Sequence, residues 1–233
     1  MLPWFFDGLS PRPPIGKLAL EEGAVLVLLG KGVNVTNFGS FSIGGKSTHA
    51  TETSSSSSIL LPLPGGVFWG GLRCIGETSH THFTNTFLSD GGNAAGSRDR
   101  PDHRFEQAVL SASSGAFVHL VSTVMTGGAG RGLDIENSTL VAINIAVHDM
   151  LSGGTLNNSD VLIHGSNFAE FAFQPNTQTD DDRLDLGKFD DNDALYIAGG
   201  SVRIVDTVII RAGDDCIDAG SEHYGWVMYV SFS

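Results

Sequence analysis

Apolar and polar residues alternate along the chain in short runs closed by Gly, Asn, Ser or Asp. Leu20 to Leu28 and Val33 to Ile43 show the alternation early, with glycine punctuation between them. Alternation with period two and turn residues at its ends predicts strands that bury one face. No convincing helical pattern separates these runs.

The runs also repeat. Val161-Leu162-Ile163-His164-Gly165-Ser166-Asn167-Phe168 matches Val202-Arg203-Ile204-Val205-Asp206-Thr207-Val208-Ile209 at the first, third, sixth and eighth places. Leu140, Ala142, Ile145 and Val147 fill the same places 21 residues before the first copy, and the second copy lies 41 residues after it. Phe117, His119, Ser122 and Val124 form a weaker copy, 23 residues before Leu140. Strands repeated at this spacing without crossover helices predict stacked coils of about 21 residues, an all-β parallel β-helix. Equivalent side chains of successive coils then lie about 4.8 Å apart in columns.

This reading divides the chain into a lead-in over 1–17, one domain over 18–222 and an atypical tail over 223–233, read as a truncation. Surface loops are expected near 46–58, where Ser54 to Ser58 is a polar low-complexity insert, near 91–106 and near 174–191. A single domain suits 233 residues, of which 41% are hydrophobic, 17% charged and 30 are glycine. The net charge of −13 repels polyanions and argues against nucleic acid as a partner. No apolar run approaches the roughly 20 residues that cross a bilayer, and the opening Met1-Leu2-Pro3-Trp4 lacks a secretory pattern. Sequons begin at Asn34, Asn137 and Asn157. Cys74 and Cys216 are too few for a disulfide framework, and both are expected to be buried thiols.

Chemistry concentrates late in the chain. Seven aspartates fall between Asp180 and Asp193, and Gly213-Asp214-Asp215-Cys216-Ile217-Asp218 follows one repeat later, with Asp214 21 residues after Asp193. Asp193, Asp214 and Asp215 would then meet on one face. Crowded carboxylates shift one another's pKa, so one can stay protonated beside a carboxylate base, the pair that glycosidic hydrolysis needs. The plainer reading is that these acids turn the chain at a corner. Asp190, Asp191 and Asp218 are candidate Ca²⁺ ligands, since hard cations take clustered carboxylate oxygens; a solvated acidic loop is the alternative, and no EF-hand order occurs.

Gly213-Asp214-Asp215-Cys216 resembles the strand-end motif of the polygalacturonase family of glycoside hydrolases, within the right-handed parallel β-helices of the pectin-lyase-like superfamily. Asp191-Asn192-Asp193 stands where that family has Asn-Thr-Asp. The resemblance implies Asp193, Asp214 and Asp215 as catalytic carboxylates, a polysaccharide or cell-surface glycan as partner, a monomer, and an extracellular or cell-surface location. Pectate lyases of the superfamily use calcium. The family's later His-Gly pair and basic substrate-binding motif have no counterpart before Ser233, and His223 does not align with the family histidine. A non-catalytic scaffold for adhesion or surface architecture is therefore the second expectation.

Other candidates carry plainer readings. His80-Thr81-His82 near Cys74 lacks a third zinc ligand at sensible spacing and reads as surface histidines on a strand. Trp69 could stack on a sugar ring, but burial is commoner. Gly127-Gly128-Ala129-Gly130 has no Lys-Ser or Lys-Thr, so it is not a phosphate loop.

Overall fold

Left-handed backbone marks where the chain turns. Asn85, Ser122, Asn144 and Asp206 have φ between 48° and 54°, and Asn137 and Asn158 have 47° and 46°. Such φ values favour Gly, Asn and Asp, the residues that punctuate the sequence. The computed structural model describes residues 16–21, 23–28, 34–45, 57–62, 69–92, 108–128, 130–171, 193–213, 215–220 and 228–231.

The described strands in chain order are β1 (Lys17–Glu21), β2 (Val25–Leu28), β3 (Asn34–Asn37), β4 (Ser40–Gly45), β5 (Ser58–Pro62), β6 (Gly71–Ile75) and β7 (His80–Thr84). There follow β8 (Thr86–Ser89), β9 (Leu110–Ser113), β10 (Phe117–Val121), β11 (Val124–Thr126), β12 (Arg131–Glu136), β13 (Thr139–Ile143) and β14 (Ala146–Met150). The last are β15 (Ser152–His164), β16 (Asn167–Phe171), β17 (Leu195–Val205), β18 (Val208–Ile210), β19 (Ile217–Ala219) and β20 (Met228–Ser231). The described residues include no helix, and hence none long and apolar enough to cross a membrane.

The strand order corrects the expected right-handed parallel β-helix, a solenoid with coils of about 21 residues. Ten strands of the larger sheet follow one path, β1-β4-β7-β10-β13-β15-β12-β9-β6-β3, which runs out and returns as a curled half-barrel. A separate seven-stranded sheet, β18-β16-β14-β11-β8-β5-β2, lies beside it. The turning point is β15, whose 13 residues pair with both β12 and β13; β17 pairs along it for most of its length. The repeat read from sequence covers only the second part of each of these strands, from Val161 and from Val202. The bends at Asn158 and Gly199–Gly200 leave the strand continuous, so the two ladders merge. The described residues are all-β, with parallel pairing throughout the strands.

Pairing in the later repeats matches the spacing read from sequence. Leu140 pairs with Val161 and Val161 with Val202, while Val147 pairs with Phe168 and Phe168 with Ile209. The weaker copy is displaced by one residue: Val118, not Phe117, pairs with Leu140. A one-residue slip exchanges the two faces of a strand. Phe117 is accordingly exposed, and Val118 and Leu120 are buried.

The core consists of columns of like side chains. Ile43, Phe83, Leu120, Ala142, Ile163 and Ile204 succeed one another across the larger sheet, each fully buried. Leu60, Leu88, Met125, Val147 and Phe168 do the same in the smaller one. Burying each large member contributes about 1.5–3 kcal/mol. At the bends, buried hydroxyls satisfy backbone groups. Ser159 Oγ donates to Asn157 O and accepts from Ser138 N–H, and Ser166 Oγ donates to His164 O and accepts from Ile145 N–H. Ser58, read as part of a polar insert, is the buried first residue of β5, with its Oγ donating to Glu21 O.

Candidate functional site

Asp193 lies two residues before β17, and Asp215 two residues before β19. Leu195 pairs with Ile217, a shift of 22 residues, so Asp193 stands in register with Asp215 and not with Asp214 as the 21-residue spacing predicted. Two hydrogen bonds fix this: Ala194 N–H donates to Asp215 O at 3.0 Å, and Asp215 N–H donates to Asp193 Oδ1 at 3.2 Å. Asp193 is only 3% exposed, whereas Asp215 is exposed. The structure thus sets two aspartates in register just ahead of neighbouring strands, one buried and one exposed, with the Asp193 carboxylate on the Asp215 backbone N–H. Asp214, Asp190 and Asp191 lie outside the described residues.

Below this pair, Gly153 N–H donates to Asp193 O. Arg131, buried on β12, pairs with Ser152 and reaches up the sheet, its Nη1 donating to Thr155 Oγ1. The outward row beside them runs Asp134, Thr155, Tyr196, Asp218. Tyr196 is half-buried, and its hydroxyl sits where a Cβ on Gly220 would come within 2.6 Å, so only glycine lets the ring lie there. Asp218, a proposed calcium ligand, is half-buried on β19. Among the described residues, no three His, Cys, Asp or Glu side chains converge as a metal site. Sequence reasoning missed Tyr196 because nothing in its local pattern distinguishes it from other strand residues.

The remaining candidates resolve individually. Trp69 is fully buried, its Nε1–H donates to Ser89 O at 2.8 Å, and it offers no sugar platform. Cys74 is buried against Thr81, and burial pushes its thiol up to about 11. Cys216 departs from expectation: it is exposed, in the bend just before β19, with its Sγ near Ile209 O. His80 and His82 point outward as expected, away from Cys74. The sequons at Asn34 and Asn137 begin on exposed residues, while Asn157 is half-buried within β15. In Asn137-Ser138 the Asn makes the left-handed bend and the buried Ser138 Oγ donates to Glu136 O, so the pattern has a structural cause.

No family model, curated protein or solved structure matches this chain. Its functional reading rests on its own residues.

Proposed function

We propose that this chain acts on a polysaccharide or cell-surface glycan outside the cell, as a monomeric glycoside hydrolase of polygalacturonase-like ancestry. One observation carries the reading: Asp193 and Asp215 stand in register on adjacent strands, one buried and one exposed. Adjacent strands lie about 4.8 Å apart at the backbone, and an inverting acid–base pair needs its carboxyl groups roughly 6.5–9.5 Å apart, a spacing that side chains of neighbouring strands can supply. Unlike surroundings are the condition under which two carboxyl groups divide acid and base roles. Asp215 is the group open to substrate and water. Asp214 is its chain neighbour and the third carboxylate of the motif.

A second reading has its own support. Asp193 Oδ1 is occupied by a backbone N–H, as in an acid that merely holds a bend. The smaller sheet also turns Val25, Ile59, Phe87 and Val124 outward in one column. Both features suit a non-catalytic surface scaffold. Reducing-sugar release from neutral and uronate polymers, with and without Ca²⁺, separates the readings. Hydrolysis lost in Asp215→Asn supports the enzyme; a folded, inactive wild-type chain supports the scaffold.

A further inference from the structure

His82 on β7 and His119 on β10 are direct partners across the outward face of the larger sheet. Their Nδ1 atoms are 2.9 Å apart and their ring centroids 4.6 Å apart, nearly perpendicular at 68°. Two neutral imidazoles at this distance share one proton: one Nδ1 carries it and the other presents a lone pair. His82 Nε2 lies 3.1 Å from Thr84 Oγ1, a contact that fixes the ring's rotation. His80 and Phe117 form the next outward row, their rings 6.0 Å apart, and Val141 lies in register beyond His119. Along β4, β7, β10 and β13 His80 is the other titratable side chain on these rows, and no carboxylate stands in register with either histidine on those strands; Lys17, Asp160 and Arg203 lie on the same rows farther out, on β1, β15 and β17.

We propose that His82 and His119 form a two-imidazole clip for a divalent transition-metal ion of tetragonal preference, Cu²⁺ first and Ni²⁺ second. Metal–imidazole bonds of about 2.0–2.1 Å meeting at the right angle of a tetragonal ion put the two nitrogens about 2.8–3.0 Å apart, whereas a tetrahedral ion needs about 3.3–3.4 Å. The separation found is therefore both a hydrogen bond in the free pair and the bite of a tetragonal chelate. Binding displaces the shared proton to the far nitrogen of the same ring, so both Nδ1 lone pairs face the ion and no net proton is released near neutral pH. Water fills the remaining positions, since the pair opens to solvent. Thr84 acts on the ion only through His82, as an outer-shell partner that holds the ligand ring.

The test is Cu²⁺ titration of the full chain in a non-coordinating buffer at pH 7.5, read by calorimetry and by electron paramagnetic resonance. The expected result is one dominant site with two nitrogen couplings. That site weakens at least about tenfold in His82→Asn or His119→Asn, weakens more mildly in Thr84→Val and is unchanged in His164→Asn. Circular dichroism establishes that each variant is folded. Equal Cu²⁺ affinity in the folded double variant His82→Asn/His119→Asn, or no saturable site in the wild type, overturns the proposal.

Discussion

The two faces of the same strands obey different rules. Inward from β7 to β17 the column reads Phe83, Leu120, Ala142, Ile163, Ile204; outward, one residue before each, it reads His82, His119, Val141, Leu162, Arg203. The inward column is chemically uniform because each member must fill a close-packed interior. The outward column changes character from strand to strand, because packing does not decide it. Stability is therefore carried by a repeated pattern, and chemistry by single departures from it. Asp193 sits at the boundary, a carboxyl group drawn into the buried side just before β17 begins.

The sharpest way to break this contrast is truncation on each face. Phe168→Ala, within the fully buried column of the smaller sheet, is expected to cost about 3–5 kcal/mol in urea unfolding. Leu162→Ala, half-buried on the outward face, is expected to cost well under half of that. Equal losses would erase the distinction. A smaller effect should come from the bends: Ser159→Ala strands the Ser138 N–H and should cost about 1–3 kcal/mol in the same measurement.

The smallest effect is a pH dependence. His119 is held below its ordinary 6.5, chiefly by burial and then by His82. Between the lowered value and 6.5 the unfolded chain binds more protons than the folded one, so stability falls as pH drops through that interval. His119→Asn should flatten the change in unfolding midpoint between neutral and mildly acid pH. An unchanged pH profile in that variant would show that the pair has no such influence.

The sequence made the inward columns legible where apolar residues recur without interruption, as at Leu140, Val161 and Val202. It failed by one residue at Phe117, where an exposed aromatic imitates a core residue. That slip had a functional cost: it turned His119 inward and hid its partnership with His82. The same one-residue error put Asp214 opposite Asp193 in place of Asp215. Periodicity also reports which strands pair without reporting where a strand continues through a bend. The merging of two ladders at β15 and β17 was thus invisible, although Asn158, Gly199 and Gly200 mark the places. The acidic motif was legible as composition, but its division into a buried and an exposed carboxyl depends on which row closes over Asp193.

The most direct test of the account is reducing-sugar release by the full chain and by Asp215→Asn, which keeps the backbone N–H that Asp193 accepts. The expected result is measurable hydrolysis of at least one polysaccharide, reduced about 10²- to 10⁴-fold in the variant at unchanged stability. Hydrolysis that survives the substitution undiminished would contradict it.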